Sequence, residues 1–323
     1  MQGQVMPERS AIAPVYAGID VCKDWLDVYL HPIGQSLRVA NTRDGILRLK
    51  RMLAQHRVVR VVMEATGKYH RQAHRTLHAG GFATAIVNPL RARLFAEAIG
   101  ALAKTDRLDA RTLGLLAESL TPCATPPAPE RLEELQELVR ARAAAVADRT
   151  ALTNQMGQAQ TAFLKCELRR RLAATARAIH RLEDEIKRRI AREPGLARRC
   201  EIVSSIAGAG FVTAVTIAVE LDEIGTCSGK AAAMLAGLAP IAHDSGEKSG
   251  QRHIRGGRAA VRTGLYMAAV AAARCNPDLK AFYKRLRARG KAFKVAITAV
   301  MRKLLVLANT LITQDRLWTP IHA

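Results

Sequence analysis

The sequence predicts an α/β domain followed by an all-α region, and three observations support this. Strand-type and helical runs alternate between Val15 and Val87, four prolines interrupt the chain between Pro122 and Pro129, and almost everything beyond them has helical periodicity.

The strand-type runs are VYAGIDV from Val15, LDVYLH from Leu26, SLRVAN from Ser36, VVRVVME from Val58 and FATAIV from Phe82. Helical stretches fall between the later ones, at 44–55 and 69–79. The first strands lie close enough in sequence to form hairpins, after which strands and helices alternate. The order β-β-β-α-β-α-β-α is that of a ribonuclease H-like domain. A doubly wound dinucleotide fold would place a crossover helix and a GxGxxG directly after the first strand, and no such motif follows Asp20.

The segment TPCATPPAPE cannot continue a helix and reads as a linker. Beyond it, apolar residues recur at steps of three and four: Leu132, Leu135, Val139, then Leu152, Met156, Ala159, Phe163, and later Leu172, Ile179, Leu182, Ile186 and Ile190. That spacing predicts two long amphipathic helices, broken near Lys165–Arg171, with arginine-rich polar faces. Periodicity leaves open whether they are a plain spacer or an oligomerising coiled coil. The remainder is mostly helical and ends in a helix over 293–313. Within it SIAGAGFVTAVTIAVEL resembles a helix-hairpin-helix, in which Gly208 and Gly210 would bring backbone close to a phosphate. The expected domains are 12–121, 122–195 and 196–323.

With 50 Lys+Arg against 28 Asp+Glu, the formal net charge is +22, so the default reading as a neutral metabolic enzyme fails. The 49% of hydrophobic residues excludes whole-chain disorder. Aromatics make up only 4%, too few for recognition of single strands by base stacking, whereas cations for phosphate contact are abundant. Six scattered cysteines, none in a CxxC pair, give neither a zinc frame nor a disulfide scaffold and fit a reducing cytoplasm. The start of the chain lacks the apolar core of a signal peptide and no run of 18 apolar residues occurs, so the expected location is cytoplasmic, without a membrane partner.

Four carboxylates stand where a metal would need them. Asp20 interrupts an apolar strand, where an unpaired charge costs several kcal/mol. Glu64 ends the strand VVRVVME, and Asp106 and Asp109 fall three apart on one face of a helix. A pair of magnesium ions would relieve their mutual repulsion, because Mg²⁺ takes hard oxygen ligands together with substrate phosphate oxygens. Taken singly each has a plainer reading: Asp20 can pair with Lys23, and Asp106 and Asp109 with Lys104, Arg107 or Arg111. His70, His74 and His78 share a helical face, but basic Arg71 and Arg75 beside them oppose a zinc site.

The segment HDSGEKSGQRHIRGGRAAVR places Ser245 among Lys248, Arg252, Arg255, Arg258 and Arg262. Guanidinium groups there can neutralise a phosphate approached by the hydroxyl. From the residues alone this is first a phosphate-binding surface, since serine without a base or metal is a weak nucleophile.

GIDVCKDWLDVYL, VMEATGKYH and NPLRARLFAEAIGALAKTDRLDARTLG closely resemble the DEDD transposases of bacterial insertion sequences, the family that includes Piv-type invertases and bridge-RNA-guided recombinases. The Gly208-Ala209-Gly210 hairpin, LAGLAP, the Ser245-Gly246 pair and the basic run to Arg262 resemble that family's C-terminal transposase domain, so the likeness runs from Val15 to Ile312. It implies a RuvC-like nuclease domain whose tetrad Asp20, Glu64, Asp106 and Asp109 binds Mg²⁺, two ions per site. It implies a nucleophilic Ser245 that forms a phosphoserine link, and a helical spacer that dimerises the chain. One protomer's serine would complete another's metal site in a homodimer assembling to a tetramer. Donor and target DNA would pair with a structured guide RNA, and Lys104, Arg107, Gly208, Gly210 and the basic run would contact nucleic acid. Asp244 departs from the uncharged residue common before the serine, and Ser249 is the alternative nucleophile. A Holliday-junction resolvase using water would need the tetrad but not the serine.

Overall fold

The computed structural model describes residues 13–65, 67–101, 106–242, 244, 250 and 252–320, with the backbone alone at 106–108. They divide into two compact units that meet in sequence between Ala128 and Pro129, at the end of the proline-rich stretch.

The first unit contains β1 (Val15–Val21), β2 (Trp25–His31), β3 (Gln35–Ala40), α1 (Arg43–Leu53), β4 (Val58–Glu64), α2 (Arg71–Ala79), β5 (Thr84–Val87), α3 (Pro89–Ala98) and α4 (Asp106–Leu120). They build a five-stranded sheet in the order β3-β2-β1-β4-β5, antiparallel across β1, β2 and β3 and parallel across β1, β4 and β5. Strand alternation sorts its side chains onto two faces. Ile19, Leu26, Leu30 and Met63 meet Ile46, Leu49 and Leu53 of α1 and Leu77 of α2 on one face. Val62, Ala85 and Val87 meet Ala92 of α3 and Leu113, Leu116 and Ala117 of α4 on the other.

Helix starts in this unit are set by local chemistry. Thr42 accepts a hydrogen bond from the Gly45 amide to cap α1, and Asn88 accepts one from Leu90 to cap α3, with Pro89 at its first position. The start of the proline-rich stretch is tied to the sheet: the Thr125 amide donates to the Thr84 carbonyl at 2.8 Å. Buried His74 lies 2.7 Å from the Thr125 carbonyl through Nε2, a structural use for one of the three spaced histidines.

The second unit comprises α5 (Glu130–Gln158), α6 (Ala162–Ala191), α7 (Pro194–Ser205), α8 (Phe211–Glu220), α9 (Gly229–Leu235), the two-residue strands β6 (Pro240–Ile241) and β7 (His253–Ile254), α10 (Ala259–Cys275), α11 (Pro277–Ala288) and α12 (Phe293–Thr313). The long helices α5 and α6 pack on each other, but their break is not at 165–171 as the sequence reading expects. It lies at 159–161, where Thr161 caps α6 by accepting from the Leu164 amide. KCELRRR holds no glycine or proline and continues the helix.

Leu135 and Val139 of α5 and Ile186 and Ile190 of α6 share one core with α7–α12, so the root of this helical hairpin belongs to the second unit. Arg140 grips buried Glu220 of α8 through Nε and Nη2 at 2.9 and 3.0 Å. Among the described residues α12 is the one helix whose length and composition would let it cross a bilayer. Half of it is buried, and Ile297, Val300, Leu304 and Leu305 lie in the unit's core.

Candidate functional site

Strand register lines up charged residues across the first sheet. Asp27 of β2 lies directly opposite Asp20 of β1, and Arg38 of β3 lies opposite Asp27. Ile19 pairs with Met63 on the parallel neighbour, so the next step along both strands sets Asp20 beside Glu64. Flanking residues fix the face. Ile19, Val21, Leu26, Val28 and Met63 all point into the α1/α2 core, so Asp20, Asp27 and Glu64 point to the side covered by α3 and α4. A row Arg38–Asp27–Asp20–Glu64 therefore crosses four strands on one face.

Helix α4 brings its N-terminal end over that row. A Cβ on Gly18 would lie 2.1 Å from the Ala110 carbonyl oxygen and 2.2 Å from the Gly114 amide, so only glycine lets α4 sit this close to β1. At the helix's other end Glu118 meets His31 at 2.9 Å, and His31 pairs with Tyr16 near the start of β1. The helix thus runs opposite to β1, with Asp109, one residue before Ala110, at the end where Asp20 and Glu64 lie. Asp106 begins the same helix, and its side chain, like that of Arg107, lies outside the described residues, as does Lys104. The rim of this end is tied by Asn41, whose Nδ2 donates to the carbonyls of Cys22 and Tyr69 at 2.9 and 3.1 Å. Among the described residues no three His, Cys, Asp or Glu side chains gather as a cage for a cation.

The second predicted site is a loop on the second unit. Paired β6 and β7 form its stem, and Asp244 bridges its ends by accepting from the Gly250 amide at 3.1 Å. Ser245, Lys248 and Ser249 lie outside the described residues. Past the stem, Arg258 stands just before α10, makes no side-chain cap to it, and donates to Glu223 through Nη1 and Nη2 at 2.5 and 2.6 Å. Burial pushes the Glu223 carboxyl up, but the hydrogen bonds from Arg258 and Asp222 outweigh it and hold it at about 2. Burial, then the contact with Glu223, raises Asp222 instead. Arg262 donates to the Gly256 carbonyl at 2.8 Å, Arg252 faces Asp244 at 3.8 Å, and Arg255 is exposed.

Two family models match the chain. One, described as a transposase and specific to DEDD enzymes of the IS110 type, covers residues 17–163 and so takes in Asp20, Glu64, Asp106 and Asp109. The other, described as the transposase IS116/IS110/IS902 family, covers 200–284 and takes in the serine loop. The chain belongs to the IS110 transposase family. Pilin gene-inverting proteins of Moraxella bovis and Moraxella lacunata are each 27% identical to it over 319 residues, spanning 94% of this chain and 98% of theirs. The chain is therefore an enzyme of DNA recombination, with DNA as its substrate.

In this transposase the structure brings Asp20, Glu64 and the start of α4 to one end of one sheet face. Gly208, with φ of +99°, packs on the α10 backbone, where a Cβ would lie 2.5 Å from the Ala272 nitrogen, so its missing side chain serves helix packing. Gly210 has open space around it and precedes α8 without a side-chain cap. Reading the sequence overlooked Asp27 and Arg38. The signal was present: a hairpin turning through Cys22–Asp24 must set Asp27 opposite Asp20.

Proposed function

We propose that this transposase cuts and exchanges DNA strands with Mg²⁺ held by Asp20, Glu64, Asp106 and Asp109, and with Ser245 as nucleophile. The observation that carries the reading is the convergence of Asp20 and Glu64, neighbours on parallel strands, beneath the N-terminal end of α4. Acidic residues in a first helical turn are ordinary, since the helix dipole favours them there. Two further carboxylates, on adjacent parallel strands, bring more oxygen donors to the same end of the same sheet face. The donors are all carboxylate oxygens, the hard ligand set that suits Mg²⁺, and DEDD enzymes generally use divalent ions. Magnesium bound there supplies positive charge to a phosphate oxygen and to the attacking and leaving oxygens.

The protein's own part is transesterification. The Ser245 oxygen forms a bond to phosphorus as the bond from phosphorus to a deoxyribose oxygen breaks, and the serine proton is transferred as that oxygen leaves as a hydroxyl. The phosphoserine diester keeps the count of P–O bonds, so a second strand's hydroxyl can reverse the step without an external energy source. The first unit corresponds to a RuvC-like nuclease domain, α5 and α6 to a dimerising coiled coil in an assembly that grows from dimer to tetramer, and a structured RNA to the guide that selects donor and target in the cytoplasm. The relatives' name speaks of inverting a pilin gene, which is the same class of strand exchange.

The test is cleavage of element-end DNA by full-length protein with Mg²⁺. Asp20→Asn and Glu64→Gln should each lower cleavage by about 100-fold or more, as loss of direct transition-state stabilisation does. Ser245→Ala should bind DNA yet form no covalent protein–DNA adduct. Cutting that persists in Ser245→Ala would mean water is the nucleophile and favour a junction resolvase. Cutting that persists in Asp20→Asn would overturn the metal site.

A further inference from the structure

We infer that the exposed basic face shared by α11 and α12 is a further contact for DNA, apart from the serine loop, and that it grips the phosphate backbone of a duplex without reading its bases. The inference needs only DNA as the substrate, so it stands apart from the roles of the metal and of Ser245.

Between Pro277 and Lys303 the chain carries nine Lys and Arg and one acid, Asp278, against 50 to 28 for the whole chain. No ion pair joins any of the nine to an acid among the described residues. Elsewhere in this unit such pairs are made: Arg131 meets Glu193, Arg142 meets Glu183 and Arg198 meets Asp315. On α11, Leu279, Phe282 and Tyr283 turn to the core, while Lys280, Lys284 and Arg287, at steps of four and three, are exposed on one face.

Helix chemistry alone does not place cations there. The dipole favours Arg285 and Arg287 in the last turn of α11 but opposes Lys280, its fourth residue, and Lys280 and Lys284 repel one another across a turn. An anion outside the chain relieves both costs. The fold holds the face in shape: Phe282 has Lys303 of α12 at 4.7 Å and Arg285 at 5.5 Å from its ring centre, so one ring draws cations from both helices together. Arg287 donates through Nη1 to the Lys291 carbonyl at 2.6 Å and steadies the turn between the helices. The rings are engaged within the unit, Phe282 with these cations and Tyr283 edge-on with Phe293 at 6.5 Å. Recognition by base stacking needs open rings, whereas a duplex keeps its bases inside and turns its phosphates outward. From Lys280 to Arg287 the helix rises about 10 Å, at ~1.5 Å per residue, the axial length of about three phosphates on one strand.

The experiment is fluorescence anisotropy of full-length protein, freed of nucleic acid, with two DNA duplexes of unrelated sequence and one RNA duplex, from low to moderate salt. The variants are the double Lys280→Gln/Lys284→Gln and, as control, Arg131→Gln, whose exposed guanidinium is paired with Glu193. The double variant should weaken binding to both DNA duplexes alike, by about tenfold or more. It should also lower the slope of log affinity against log salt by about 1.8, at about 0.9 for each lost phosphate contact. Arg131→Gln should leave the slope unchanged. A loss on DNA supports the inference whether or not RNA shares it. A double variant with the wild-type slope overturns it, and so does a loss confined to one DNA sequence, which would mean that bases are read. A loss on RNA alone gives the face to RNA and overturns DNA as its occupant, and an equal loss in Arg131→Gln shows that net charge and not this face drives binding. Should denaturant unfolding show that the double variant has lost its fold, the single variants Lys280→Gln and Lys284→Gln replace it, each expected to lower the slope by about 0.9.

Discussion

The two proposed functional regions of this transposase are built in opposite ways. The carboxylate row draws on β1, β2, β4 and the start of α4, residues far apart in sequence that strand register and one helix contact bring to a single end of a sheet. The basic loop is contiguous in sequence, carried on a two-residue β stem and fastened at its base by Arg258 and Glu223. A site assembled from distant pieces depends on backbone packing, so it fails when the scaffold shifts. A contiguous loop keeps its residues together whatever the scaffold does, and depends instead on what anchors it.

Gly18→Ala tests the first half of that contrast and should have the largest effect. The new methyl would meet backbone atoms of Ala110 and Gly114 at 2.1 and 2.2 Å, and backbone cannot rotate out of the way. Overpacking of this kind costs about 1–3 kcal/mol or more. Because the displaced segment is the end of α4 that carries Asp106 and Asp109, Mg²⁺ affinity should fall with stability, measured by calorimetry and denaturant unfolding. Gly114→Ala is the control, since its Cβ would meet the Tyr29 ring edge at 3.0 Å, a side chain that can yield. Equal losses in both variants would show that close packing at Gly18 does not hold the site together.

Glu223→Gln tests the second half, with a smaller effect. It replaces one oxygen of the two-pronged partner of Arg258 with an amide, in a pair more than a third exposed, so about 1 kcal/mol is the upper end for its cost. The sign of the pH dependence follows from the shifts. Glu223 is held down at about 2, so its contribution is complete above the ordinary glutamate range near pH ~4.3 and fades as pH falls toward 2. Asp222 is raised, which works in the opposite direction: its neutral form is favoured by the fold, so its penalty appears as pH rises through its folded value. Glu223→Gln should therefore flatten the acid limb of the stability curve, and covalent adduct formation should fall while DNA binding holds. An unchanged acid limb would remove the anchor from the picture.

The legibility of the sequence follows the same division. Strand alternation and helical spacing made the strands at 15–21 and 58–64 and the helix at 293–313 readable, because burial on one face imposes a period. Asp20 and Glu64 stood out because one interrupts and the other ends an apolar run, and Asp106 and Asp109 because they fall three apart on one helical face. That Asp20 lies beside Glu64 was not readable from composition or spacing, because it depends on the parallel register of β1 with β4, and the place of Asp109 depends on how closely α4 approaches Gly18. Asp27 was readable in principle from the hairpin count but lay in the strand LDVYLH, which reads as apolar. The turn at 159–161 escaped because its only marker is one capping threonine, whereas the expected break at 165–171 is a run of good helix formers. Gly208 showed as a phosphate-cradling glycine because sequence does not reveal that α10 lies against it.

The smallest effect asks which arginines of the basic run meet DNA. Arg258 spends its guanidinium on Glu223 and Arg262 donates to the Gly256 carbonyl, whereas exposed Arg255 has no ion pair among the described residues. A phosphate contact shows itself in salt dependence, since each one releases condensed counterions and adds about 0.9 to the slope of log affinity against log salt. Arg255→Ala should lower that slope by about one contact and weaken binding evenly across DNA sequences. Arg258→Ala should leave the slope unchanged and lose thermal stability, as removal of an internal ion pair does. Filter binding or fluorescence anisotropy between low and moderate salt reads the slope directly. If Arg258→Ala lowers the slope as much as Arg255→Ala, its guanidinium leaves Glu223 for DNA, and the base of the loop is then opened by substrate and no longer locked against it.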